Sequence, residues 1–498
     1  MATQVHRTRG CVGAMSLAAT AVAALIVAPT VVPSLVPSVA AGAKTLIAQT
    51  NLLNVETESW IMGGSGLPVP PPSYLAAVTD RFLDPATPKF EGQPLFPVDV
   101  TNPLFTPEGL YPLTGVKSLP LDTSLAQGVA ILNQKILEET AAGQNSVVLG
   151  YSQSAVINAL EIKNLLNMPV GDRPAADQLS FVMLGSPSTP NGGLLSRFDL
   201  TSINPNLPEL TLPSLGVTFS GGTPSETPWQ TAFYTQEYDG FADFPKYPLN
   251  LLADINAFLG IMFVHGTYPL LSDAQLATAI ELPVSDGYTG NTQYFMIPTE
   301  NLPLLDLLRG NSIGNAIADL LQPSLRVLVN LGYGDIDHGW SQGPADVSTP
   351  FGIFPDVNLS DVLAALFSGA QQGLSDFAVD LQHLPLDNPA ELLGLAGGSA
   401  AFALPSLTDL VNTFTSISST LYATLLPTAD IVNALITTLP AYMTTLFGQE
   451  LLSGDLINAI GLPPAAATGL VTMAGGFELE VLMNALSAVG QDISGLFS

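Results

Sequence analysis

The sequence predicts an α/β fold whose mostly parallel sheet is covered by helices. Three observations carry that expectation. Val147-Val148-Leu149 is a short apolar run that passes through Gly150-Tyr151-Ser152-Gln153-Ser154 into helix-forming residues 155–161. Leu179-Ser180-Phe181-Val182-Met183-Leu184-Gly185 is a near-continuous apolar run, as expected of a strand buried on both faces. Residues 121–139 place Leu125, Val129, Leu132, Ile136 and Leu137 on one helical face, the pattern of a crossover between parallel strands.

Composition narrows the function classes. Of 498 residues, 47% are hydrophobic and only 11% charged, and the net charge of −29 reflects scarce bases. Lys and Arg total 13, none after Arg326, so no basic surface exists to neutralise nucleic-acid phosphates or hold anionic lipid. The single cysteine, Cys11, excludes an intramolecular disulfide and a cysteine metal site. The four histidines, His6, His265, His338 and His383, are too scattered for a zinc cluster. No metal and no cofactor is expected.

Residues 1–45 read as a targeting segment, either a signal peptide or a membrane anchor. His6, Arg7 and Arg9 precede an apolar run over residues 12–28, and small residues follow at Val39-Ala40-Ala41. Export is the expectation, with prolines at 29, 33 and 37 against one long helix. Ser59-Trp60-Ile61-Met62 reads as a first core strand ending in Gly63-Gly64-Ser65-Gly66-Leu67-Pro68. A glycine-rich turn at a strand's carboxyl end presents backbone N–H groups to a ligand. It lacks the lysine of a phosphate loop and suits half of an oxyanion hole. Residues 68–120 are proline-rich with little periodicity, and residues 194–228 look like an insertion or lid rather than core.

The stretch around Ser152 has the setting of a nucleophile elbow: strand, sharp turn, helix, with small flanking residues where backbones approach closely. Ser154 stands where glycine is usual. Downstream, Thr231-Ala232-Phe233-Tyr234-Thr235-Gln236 is a strand followed by Asp239 and Asp243, and apolar residues 250–263 deliver His265. Ser152, an aspartate and His265 thus follow the chain order of the α/β-hydrolases. Imidazole would take the serine proton, a carboxylate would fix its tautomer, and the Gln153 N–H would hold the oxyanion with a donor from the 63–66 loop. Asp239, nearest the strand end, is the expected acid and Asp243 the alternative. His338, flanked by Asp335 and Asp337, is the competing base.

At this point the motifs are similar to a known group. Gly150-Tyr151-Ser152-Gln153 resembles the elbow of cutinases. The 63–66 turn, Gly185-Ser186-Pro187 with Asn191-Gly192-Gly193, the 238–245 segment and His265-Gly266-Thr267-Tyr268 resemble the PE-PPE-domain serine hydrolases of mycobacteria, whose elbow also carries serine in fifth place. The likeness covers about residues 55–345. It implies a cutinase-like α/β-hydrolase acting on acyl esters of the cell envelope, as esterase or acyltransferase, with Ser152, Asp239 and His265 as triad and Ser65 on the oxyanion side. A signal-like segment stands where such proteins carry a PE or PPE module, and cutinase disulfides are missing.

Beyond residue 350 the composition turns to Leu, Ala, Thr, Gly and Ser, with proline breaks at 385, 405, 427, 440 and 463–464. The expectation for 350–498 is a mainly helical region packed on the hydrolase, with a lipid-contacting surface as second choice. No run reads as long and unbroken enough for a membrane span. The competing function is a non-catalytic envelope protein that binds lipid or partner proteins through this region.

Overall fold

The computed structural model describes residues 56–384, apart from 203, 206 and 208, and residues 406–495. The expected targeting segment, and the prolines at 385 and 405, lie outside them. Seven strands form one sheet in the order β2-β1-β3-β4-β7-β9-β8, and two more form the separate hairpin β5-β6. The sheet strands are β1 (Thr57–Ile61), β2 (Val100–Pro103), β3 (Asn145–Tyr151), β4 (Leu179–Leu184), β7 (Gln230–Gln236), β8 (Ile280–Glu281) and β9 (Thr292–Ile297). All neighbours are parallel except β8 on β9, so the expected mostly parallel sheet is present.

The twofold period of the strands divides the core. Val147, Leu149, Val182, Leu184 and Tyr234 enter one buried cluster, and Val148, Phe181, Met183 and Phe233 enter another. Helices α1 (Pro72–Val78), α2 (Leu121–Ala142), α3 (Gln153–Asn167) and α4 (Leu251–Phe263) supply their covering residues. On α2 three of the five predicted stripe residues, Leu125, Leu132 and Ile136, are buried, while Val129 and Leu137 are half-buried. Each buried side chain contributes about 1.5–3 kcal/mol relative to exposure. Helix α5 (Ser312–Asn330) starts at Asn311, whose side chain accepts from Gly314 N, and packs along α6 (Leu359–Gln382).

Three expectations need correction. Residues 194–228 are not peripheral: Arg197 and Phe198 are fully buried, and the hairpin β5 (Thr211–Leu212) and β6 (Val217–Thr218) packs with Leu210 and Phe219 into the core. Leu194, Leu195, Leu210, Leu212 and Leu215 face the site described below. The prolines at 427, 440 and 463–464 do not break helices either. Pro427 lies inside α7 (Leu407–Asn433), Pro440 in the first turn of α8 (Leu439–Ser453), and Pro463 and Pro464 inside α9 (Leu456–Gly495). A π turn, Ala434–Thr438, joins α7 to α8 and widens the ladder just where Pro440 lacks its N–H. In consequence, two helices are long and apolar enough to cross a membrane by length and composition, 411–453 and 456–495. Only 28% and 39% of their most apolar windows are buried. The described residues from 57 onward form one compact unit, with α9 packed against α4.

Candidate active site

Strand β3 ends in Ser152, whose φ of 58° and ψ of −116° put a non-glycine residue in a strained conformation at the start of α3. The turn is held from several sides. Ser152 N–H donates to Leu184 O at 2.9 Å. Ser154, in the place of the usual glycine, accepts from Tyr151 N at 2.8 Å and donates to Tyr151 O at 3.1 Å. Serine at that position therefore ties the turn together. Gly150 is required: a Cβ there would lie 2.5 Å from Ser154 O.

His265 arrives at the carboxyl end of α4, and Asp239 in the turn after β7. The Nε2 of His265 is 2.7 Å from Ser152 Oγ, and its Nδ1 is 2.8 Å from each Asp239 oxygen. A carboxylate only accepts, so Nδ1 carries the proton and Nε2 accepts from the serine. All three side chains are buried: Asp239 wholly, Ser152 and His265 each 6% exposed. The structure brings these three predicted residues together from parts of the chain 113 residues apart.

The two alternatives sit elsewhere. Asp243 accepts from Tyr238 N at 3.1 Å, and burial pushes its carboxyl up while the buried Arg197 opposes that shift. The Arg197 guanidinium donates to Phe244 O, Asn191 Oδ1 and Thr349 O, tying the 190s loop to the segment after β7. His338 bonds Asp335 at 3.0 Å and packs on Trp340, in a loop pinned by Gly339 N–H to Glu237 at 2.8 Å. Its ring makes no bond to Ser152.

Around the oxyanion side, Ser65 Oγ donates to Gln153 Oε1 at 2.8 Å. Gln153 Nε2 in turn donates to Ser124 Oγ at 2.6 Å, and Ser124 accepts from Gly109 N. The glycine turn, the elbow and α2 are thereby cross-braced without a disulfide. Gly66 N donates to the carbonyl of Glu108, a buried residue at φ 50° whose carboxyl burial raises to about 8.

Three aromatic residues to which the sequence assigned no role surround His265 and Asp239. Tyr268 donates its hydroxyl to Asp239 Oδ2 at 2.8 Å and accepts from Gln236 N at 2.9 Å. Tyr151 stacks on the imidazole and bonds His265 O at 2.7 Å. Phe241 meets the ring edge-on, 4.8 Å between centroids. The signal for Tyr268 was its place three residues after the histidine. Gly185 makes this crowding possible: a Cβ would come within 3.1 Å of both Asp239 Oδ2 and His265 Cε1.

An apolar cavity of about 150 Å³ opens at Ser152 and Gln153. Its walls come from the 110–113 segment, from Leu194, Leu195, Leu210, Leu215 and Phe219, and from the C-terminal helices through Ile431, Ala434, Leu435, Met473, Ala474 and Phe477. Its lining is mostly hydrocarbon with a few polar groups at the Ser152 end, which suits an apolar ligand. Among the described residues no group of acidic, histidine or cysteine side chains is placed to hold a metal ion.

A parallel sheet with a strained serine at the end of a central strand, a buried histidine–aspartate pair against it and an adjoining apolar cavity define an α/β-hydrolase-type protein. The PE-PPE domain profile matches residues 97–334. The uncharacterised PPE family protein PPE28 of Mycobacterium tuberculosis is 41% identical over 468 residues, 90% of this chain and 68% of that one. The chain belongs to this PE-PPE domain family. Esterase PE16 of the same organism is 42% identical over 333 residues, 66% of this chain and 58% of its own length. A cutinase-like protein from Cryptococcus sp. matches 38% of this chain and 79% of its own, at 15% identity and a TM-score of 0.24.

Proposed function

We propose that the chain is a serine esterase or acyltransferase acting on esters of apolar acyl chains. The observation that carries this reading is the 2.7 Å contact of Ser152 Oγ with His265 Nε2, backed by Asp239 at 2.8 Å. Ser152 Oγ attacks the ester carbonyl while its proton passes to Nε2, and Asp239 stabilises the imidazolium that forms. The oxyanion is held by the Gln153 N–H at the start of α3, where the helix dipole favours negative charge, and by the Ser65 hydroxyl turned from its amide partner. As the tetrahedral centre collapses, His265 returns the proton to the departing alcohol and leaves an acyl-Ser152. Water or an acceptor hydroxyl, deprotonated by the same histidine, then attacks the acyl carbonyl, and His265 returns that proton to Ser152 Oγ as the serine leaves. That a 42% identical relative, Esterase PE16, is named an esterase supports the first outcome.

The apolar cavity supports a lipid or lipid-like acyl substrate, and the long apolar helices support work in a lipid-rich cell envelope. In this reading residues 1–45 are a signal peptide or membrane anchor, about 55–345 the hydrolase domain and 350–498 a mainly helical region. The end of the domain match at residue 334 supports that division. The test is hydrolysis of p-nitrophenyl esters, and labelling by a fluorophosphonate probe, in native protein and Ser152→Ala. Native activity and labelling that vanish in the variant are expected. Equal turnover in both refutes the assignment.

A further inference from the structure

The cavity beside Ser152 has a wall that the hydrolase core does not supply. Helices α7 to α9 lie beyond the matched domain, yet Ile431, Ala434, Met473, Ala474 and Phe477 face the cavity. The π turn bears on this directly, because Ala434 begins it and lines the space. Such single widened turns concentrate at functional sites.

These helices are fastened, not loosely apposed. Asp430, four residues before the π turn, accepts from Tyr111 Oη at 2.6 Å, and its carbonyl accepts from Ser214 at 2.8 Å. Tyr442 Oη donates to Phe198 O at 2.9 Å. Phe477 stacks on Phe241, which itself meets the His265 ring. The roof is thus anchored to both sides of the trench and touches the catalytic base through one aromatic residue. Among the described residues no charged side chain lines the cavity, and its polar groups, Ser65, Tyr111, Ser152 and Gln153, are few beside the apolar ones; the fitting occupant is a hydrocarbon tail whose carbonyl end lies at Ser152.

Resting on the esterase or acyltransferase reading, we propose that α7 to α9 form an acyl-length gauge in which Ala434 and Ala474 set how long a chain the enzyme accepts. Both are small residues facing open space, so a larger side chain grows into the cavity and shortens it.

The test uses the full chain, with Ala434→Trp, Ala474→Trp and the milder Ala434→Leu. Two readouts are taken: kcat/KM on p-nitrophenyl acetate, octanoate and palmitate, and fluorescence binding of dansyl-undecanoic acid. The octanoate-to-acetate and palmitate-to-acetate ratios are expected to fall at least tenfold in the tryptophan variants and less in Ala434→Leu. Binding of the dansyl fatty acid should weaken in the same order. Ratios and binding within twofold of native in all three variants overturn the gauge, while Ser152-dependent hydrolysis would leave the esterase reading standing. The converse separates the two ideas: a native protein that hydrolyses no ester, yet binds the fatty acid and loses it in the variants, ends the catalytic reading alone.

Discussion

Exchanging Asp239 for asparagine tests the site most sharply, because Asp243 lies four residues away and serves as its control. Both Asp239 oxygens accept hydrogen bonds: Oδ1 from Phe241 N at 3.1 Å, Oδ2 from Tyr268 Oη at 2.8 Å, and both from His265 Nδ1. An amide offers one acceptor where the carboxylate offers two. In either orientation its NH₂ faces a donor, either the Tyr268 hydroxyl or the Phe241 N–H, or turns the imidazole to the wrong tautomer. A hydrogen bond to a charged partner contributes about 1.5–3 kcal/mol, and two are weakened together. Loss of about 3–5 kcal/mol of transition-state stabilisation corresponds to roughly 10²- to 10⁴-fold in rate. Initial rates on p-nitrophenyl acetate, with circular dichroism and thermal melting to establish folding, measure it. Asp243→Asn keeps an acceptor for Tyr238 N and should lower the melting temperature while kcat/KM stays within about fivefold, as expected of a group outside the proton path. Turnover by a folded Asp239→Asn protein above a tenth of native, or a greater loss in Asp243→Asn, would refute the reasoning.

Two further outcomes follow from the surroundings. Ser65→Ala should lower kcat about 10²-fold with little change in KM if the hydroxyl reaches the oxyanion; an unchanged kcat would leave Ser65 as a brace for Gln153 alone. Glu108 ties pH to stability: its native carboxyl holds a proton to about 8, against an ordinary value of 4.5. The native state therefore binds more protons than the unfolded one between those values. Its contribution is fully present below about 4.5 and falls by roughly 1.4 kcal/mol per pH unit towards 8. Urea midpoints measured across that window should slope less in Glu108→Gln than in native protein, and parallel slopes would count against it.

The elements nearest the chemistry were legible because their sequences are unambiguous. The β-branched run before Gly150-Tyr151-Ser152 admits little but a buried strand, and the order of Ser152, Asp239 and His265 matches the places where β3, β7 and α4 deliver them. Strand β2 was not legible: four residues, at the sheet edge, ending in Pro103 within a proline-rich stretch. Strand β9 was overlooked, although Tyr294 to Ile297 are all buried. The C-terminal prolines misled for a physical reason. A missing N–H is tolerated in a helix's first turn or beside a π turn, and tertiary packing then overrides local propensity. Residues 194–228 read as an insertion or lid because the leucines that line the cavity there come from a hairpin and loops, which have no single period.

The roof over the cavity has a consequence for biosynthesis. Residue 265 and strand β9, which pairs with β7, are translated well before the residues that cover the greasy trench. Until then Leu210, Leu215 and Phe219 border an open apolar furrow, a surface of the sort that makes partly folded chains cohere. A ribosome-bound or prematurely terminated product lacking α7 to α9 would thus expose that furrow, and its solubility would depend on whatever shields it until the last helices arrive.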